Sequence, residues 1–127
     1  MNNVGNQRRF SRLPVQLFVE IRHDDICLSS NKTHDVSIKG LFVHTGKTLP
    51  IGTACQVKLM LEGRQGEPSI DVHGQVVRVT NAGMAVEFHE SDLESYEHLR
   101  SLILFNSPNV PQAETELDGY PGFKPRS

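Results

Sequence analysis

Apolar positions recur every second residue through much of this chain. Val15, Leu17, Val19 and Ile21 interleave with Gln16, Phe18, Glu20 and Arg22, the signature of a half-buried strand. His23-Asp24-Asp25 reads as a turn, Ile26-Cys27-Leu28 as the start of a return strand, and Ser29-Ser30-Asn31-Lys32 as a further turn. Strands are predicted over 33–37 and 40–45, with a sharp corner at Lys39-Gly40. Leu49-Pro50-Ile51-Gly52 turns the chain, 55–61 alternates again, and Gly63-Arg64-Gln65-Gly66 closes a hairpin. Ile70, Val72, Gly74, Val76 and Arg78 form one face of a long strand, in which Gly74 marks a bulge or bend. Asn81-Ala82-Gly83 then turns into a strand over 84–88. Short strands at this spacing argue for an all-β antiparallel barrel or sandwich.

The period changes after Phe88. Ser91-Asp92-Leu93-Glu94 matches a capping box, in which Ser91 caps a free amide and Glu94 reaches back. Leu93, Tyr96, Leu99, Leu102 and Ile103 follow as the apolar stripe of a helix that packs on the barrel. Beyond Asn106, four of the seven prolines fall in the last twenty residues among scattered Asp and Glu, so 107–127 is expected to lack structure. The organisation predicted is a flexible lead over 1–12, a folded domain over 13–106, and this tail.

A length of 127 residues suits one domain with one core. No apolar run is long enough to span a bilayer and the first residues lack a signal-peptide core, so a soluble, cytoplasmic protein is expected. Cys27 and Cys55 each lie in an apolar stretch and read as buried free thiols. The six histidines show no metal-ligand spacing, Glu87 and Glu90 read as solvated, and no P-loop, nucleophile elbow or dinucleotide fingerprint occurs. An enzyme is not indicated, nor a cofactor. The formal net charge of −2 argues against a long polyanion, and the lack of Trp, with two Tyr, argues against stacking on single-stranded DNA or RNA.

What stands out is local. Arg8-Arg9-Phe10-Ser11-Arg12 places three of eight arginines in five residues. A guanidinium is planar, permanently charged, and holds phosphate or the O6/N7 edge of guanine bidentately. In an extended segment Arg8 and Arg12 point to one side and Arg9 away, which ranks Arg9 below them. Downstream, Asp35 and Ser37 are two apart and share a strand face. A carboxylate accepts from guanine N1–H and N2–H, and a hydroxyl serves base, ribose or phosphate. Gly40 permits either a positive φ or a close backbone approach. The two runs together read as a site for a small guanine nucleotide.

Arg-x-x-x-Arg from Arg8 to Arg12, followed by Asp-x-Ser-x-x-Gly at Asp35, Ser37 and Gly40, resembles the signature of the PilZ domain family, bacterial receptors for cyclic di-GMP. The resemblance runs over 7–106 and includes the Gly83-Met84-Ala85-Val86-Glu87-Phe88 strand and the helix after it. It implies a six-stranded antiparallel barrel with a C-terminal helix and the arginine motif in a flexible N-terminal segment. Carried over, Arg8 and Arg12 grip phosphates and guanine edges, Asp35 and Ser37 meet a guanine, and Gly40 shapes the loop. Arg78 ends the strand whose counterpart lines the ligand surface in the family, where it could stack on a base. Gln7 stands where the family's residue is linked to ligand stoichiometry, and favours one bound molecule. The mechanism implied is a segment that folds onto the barrel with its ligand and signals to an unidentified downstream protein. Control of biofilm or motility is what the family implies. The alternative is an adaptor of the same fold that works through protein contacts alone, with the helix and tail as docking elements.

Overall fold

The computed structural model describes residues 13–30, 33–61, 69–119 and 123–126. Arg8, Arg9, Arg12, Gln7 and the loop at 63–66 lie outside the described residues. In chain order the elements are β1 (Leu13–His23), β2 (Ile26–Ser30), β3 (Thr33–Val36), β4 (Gly40–His44), β5 (Ala54–Leu61), β6 (Ile70–Thr80), β7 (Gly83–Asp92), α1 (Leu93–Phe105), α2 (Val110–Gly119) and β8 (Lys124–Arg126).

Strands β1, β3, β4, β7, β6 and β5 pair antiparallel in that order, and β5 returns to β1 to close a six-stranded barrel. Closure removes the exposed edges that an open sheet of this size would carry. The alternation in the sequence sets the inside: Val15, Leu17, Val19 and Ile21 from β1 meet Val36, Leu41, Val43, Val57, Leu59, Val72, Val76, Met84, Val86 and Phe88 in a single buried cluster. Each such side chain contributes roughly 1.5–3 kcal/mol by leaving water.

The turn at Asp24-Asp25 joins β1 to β2 tightly, and Asp24 adopts φ 52°, a left-handed conformation that a short polar side chain tolerates. The turn expected at 29–32 is not where the chain reverses. Ser29 and Ser30 belong to β2, and β2 and β3 meet β1 in the same register, Ile26 opposite His23 in one and Val36 opposite Leu13 in the other. The real reversal comes later, at the corner 37–40, because β4 must cross to pair with β7.

The helix begins where expected but is capped differently. Asp92, not Ser91, accepts the Ser95 amide at 2.7 Å. Ser91 is buried opposite Val72 in the ladder and its hydroxyl donates to the Asp92 carbonyl, so it is unavailable as a cap. Glu94 pairs with His98 one turn on at 3.7 Å instead of reaching back. Leu99 and Ile103 carry the buried stripe with Ser95, while Leu93 is exposed.

Two further expectations need correction. Cys27 is exposed, since it lies opposite Arg22 on the outer face of the β1–β2 hairpin; only Cys55 is buried. The described residues after Asn106 form regular structure where none was expected. α2 buries Ala113 and Leu117, Arg100 of α1 bonds Asp118 at 3.0 Å, and β8 adds to β7 in parallel. Phe123 is 3% exposed and packs on Phe88 and Tyr96 with ring centroids 6.0 and 5.3 Å apart. Three apolar residues, each landing on a surface that α1 and β7 leave open, outweigh the low local hydropathy that the prolines and acids create.

Candidate functional site

Successive cross-strand partners define one row across the outer wall. Pro14 of β1 faces Asp35 of β3, Asp35 faces Phe42 of β4, Phe42 faces Ala85 of β7, and Ala85 faces Arg78 of β6. Asp35 is half-buried and Arg78 exposed on this surface. The chain therefore enters the barrel beside Asp35, and the arginine run ends two residues before Pro14 in sequence.

The corner after β3 is held by Ser37. Its Oγ accepts the amides of Lys39 at 3.1 Å and Gly40 at 3.4 Å, and its own amide donates to the Gly40 carbonyl at 2.9 Å. This is the local hydrogen bonding by which serine stabilises tight turns. The strand ends at Val36, so the expected sharing of a face with Asp35 does not extend to Ser37, which is buried in the corner. Gly40 resolves the two readings of its role. No positive φ is found there; a Cβ at this position would collide with the Val86 carbonyl oxygen and stand 3.1 Å from Glu87 Cα. Gly40 lets β4 lie against β7, and the Phe88 amide bonds the Lys39 carbonyl at 2.9 Å alongside it.

Arg78 reaches the site by an irregularity. Strict alternation would place it on the buried face with Val76. The β6–β7 register shifts between Val76 and Arg78, which adds Val77 to one strand without a partner and turns Arg78 outward. Its guanidinium carbon then lies over the Phe42 ring, 5.6 Å from the centroid, within the range of a cation–π contact.

Two residues of this region carry no obvious signal in the sequence. Phe42 is an outward position of a five-residue strand, and its aromatic character becomes meaningful only once Arg78 is seen above it. The His44 ring meets it edge-on at 5.0 Å and 62°. His34 is wholly buried beneath the row and stacks on His44 at 6.1 Å. Its Nδ1 accepts the His44 amide at 3.2 Å, so that nitrogen carries no proton, and the bond prolongs the short β3–β4 ladder.

A separate cleft of about 290 Å³ lies on the wall formed by β1, β5 and β6. Glu20, Lys58 and Asp71 are successive partners across it, so its charges alternate in sign and largely compensate. It offers no surplus charge for an anion.

The barrel presents a carboxylate, a hydroxyl-braced corner and a guanidinium on one outer strip, groups suited to holding a ligand against its wall. The PilZ domain family model matches residues 6–105, spanning both motif runs, the barrel and α1, and the chain belongs to that family of cyclic di-GMP receptors. No curated protein matches the chain. The match ends at the last residue of α1, so α2 and β8 lie beyond it. Among the described residues, no helix is long and apolar enough to cross a membrane.

Proposed function

We propose that this protein binds cyclic di-GMP on the outer row and passes the event through its N-terminal segment to a partner protein. Asp35 accepts from the Watson–Crick edge of one guanine. Ser37 and Gly40 hold the corner against which that guanine rests. Arg78 presents a flat cation to a base. Arg8 and Arg12, with Arg9 secondary, supply donors to the phosphates and to guanine O6/N7. The chain does this without chemistry on the ligand, as a receptor and not an enzyme.

The observation that carries this reading is the pairing of Pro14 with Asp35. It sets Asp35 beside Pro14, the second residue after Arg12 in sequence, so the second motif half stands next to the point where the chain enters the barrel. Guanidinium groups and a carboxylate acting together favour a small dianion with guanine bases over other anions. Binding that engages both halves fixes the segment ahead of Leu13 against the strip, and that change is the output.

Calorimetric titration with cyclic di-GMP, using GTP and linear pGpG as controls, tests it and returns the stoichiometry. Charge-assisted hydrogen bonds are worth roughly 1.5–3 kcal/mol, so Arg12→Ala is expected to weaken binding about ten- to a hundredfold. Unchanged affinity in Arg12→Ala, or no binding by the unaltered protein, overturns the assignment and leaves an adaptor that acts through protein contacts.

A further inference from the structure

We propose that Phe42 is a positioning residue that holds Arg78 as a preformed stacking platform for a purine, and that Ala85 is the gap that makes the platform possible. The proposal rests on the reading of this strip as the nucleotide site, and it names what sets the strip's preference for a planar base.

The geometry begins with the row. Phe42, Ala85 and Arg78 stand on three adjacent strands at one level. Strands lie about 4.8 Å apart, so Arg78 must pass over the whole width of β7 to reach a ring on β4. It does so, with its guanidinium carbon 5.6 Å from the Phe42 centroid. The residue it passes over is Ala85, whose side chain stops at Cβ. A longer side chain there would occupy the path. The register shift that turns Arg78 outward serves the same contact, since without it the side chain would enter the core.

The ring is itself held. His44, two residues along β4 on the same face, meets Phe42 edge-on at 5.0 Å, and the His34 bond to the His44 amide ties that stretch to β3. Among the described residues no carboxylate pairs with Arg78, so the ring is what orders it. A free arginine on a strand surface samples many rotamers and would lose that freedom on binding. One already resting on a ring loses little, and keeps its second face open. Asp35 is the neighbour of Phe42 on the opposite side. The strip thus offers an acceptor for the edge of a base and, next to it, a cationic plane for its face. Guanine suits both, because its N1–H and N2–H donors meet the carboxylate while its ring meets the guanidinium.

The test is a double-mutant cycle on cyclic di-GMP affinity. Phe42→Leu, Ala85→Leu and Arg78→Ala are each expected to weaken binding by roughly three- to thirtyfold, the range of a cation–π contact. Phe42→Leu combined with Arg78→Ala should be no weaker than Arg78→Ala alone, because both remove one platform. Phe42→Tyr, which keeps the ring, should restore most of what Phe42→Leu loses. In the ligand-free protein, the Arg78 δ-protons should show a ring-current shift that Phe42→Leu and Ala85→Leu abolish, and this readout does not depend on ligand. Binding that Phe42→Leu leaves intact, losses that add in the double variant, or an absent ring-current shift would each overturn the platform while the receptor reading stands. Failure of the unaltered protein to bind cyclic di-GMP overturns both.

Discussion

Gly40 of β4 and Gly74 of β6 lie on the two edges of β7 and close on the same two residues, Val86 and Glu87. A Cβ on Gly40 would strike the Val86 carbonyl oxygen; one on Gly74 would strike the Glu87 carbonyl oxygen and stand 3.0 Å from Val86 Cγ1. The β6–β7 register shifts at this level, between His73 and Gly74, so the barrel bends where the two glycines grip it. The Asp-x-Ser-x-x-Gly run therefore ends in a packing requirement of the barrel as well as a loop.

Backbone atoms cannot rotate out of the way, so a methyl at either position must push two paired strands apart. Gly40→Ala and Gly74→Ala are each expected to lower stability by about 1–3 kcal/mol, the usual cost of overpacking. Urea denaturation measures it. Wild-type midpoints in both variants would show that the close approach relaxes freely.

Ser37 and Asp35 separate by the kind of loss they cause. Ser37→Ala removes the acceptor shared by the Lys39 and Gly40 amides and should cost about 0.5–1.5 kcal/mol in stability. Asp35→Ala, on the outer face, should leave the denaturation midpoint within about 0.5 kcal/mol of wild type, yet weaken cyclic di-GMP binding at least as strongly as Arg12→Ala. An Asp35 variant that unfolds the barrel would make the carboxylate a structural group.

The C-terminal segment should be a measurable part of the fold. Phe123→Ala is expected to cost up to about 3 kcal/mol, the low end for a buried phenylalanine, because a short terminal segment can undock before the barrel unfolds. Truncation after Asn106 should produce a similar drop in thermal midpoint and speed hydrogen exchange at the end of β7, where β8 pairs with Glu90 to Asp92. Identical melting of the truncated and full chains would show that α2 and β8 add nothing to stability.

Burial pushes the Cys55 thiol up to about 11 from 9.0. The unfolded chain therefore releases this proton first, and between those two pH values the folded state holds the extra proton. Stability from this source is complete below pH 9.0 and is lost as pH rises toward about 11. Cys55→Ala should flatten that alkaline limb in a series of denaturation curves. At neutral pH a thiol reagent should label exposed Cys27 in the native protein and reach Cys55 only on unfolding. Rapid labelling of both thiols in the native state contradicts this.

Much of the barrel can be read directly from residue order, because a two-residue period leaves no choice of which side chains face inward. The alternation of Val15 to Ile21 and the turn at Asp24-Asp25 are local facts, and so are the motif residues that point to a guanine nucleotide. Helix α1 is equally legible as an element, although its cap moved from Ser91 to Asp92 once β7 had claimed Ser91 for the ladder. The tail misled for a related reason. Its composition is poor in apolar residues, and the value of Ala113, Leu117 and Phe123 depends on receiving surfaces far away in sequence.

The direction of Arg78 belongs wholly to the tertiary structure. Its own strand pattern places it inside, and only the register shift against β7 turns it out over Phe42. The meeting of Pro14 with Asp35 is more local, since β3 keeps the register against β1 that the hairpin at Asp24-Asp25 begins. Short-range periodicity decides burial residue by residue, whereas register and closure are cooperative properties of several strands at once. The sequence alone thus determined which residues could form the site, and the pairing of β4 with β7, with the register shift of β6 on β7, decided that Arg78 meets Phe42.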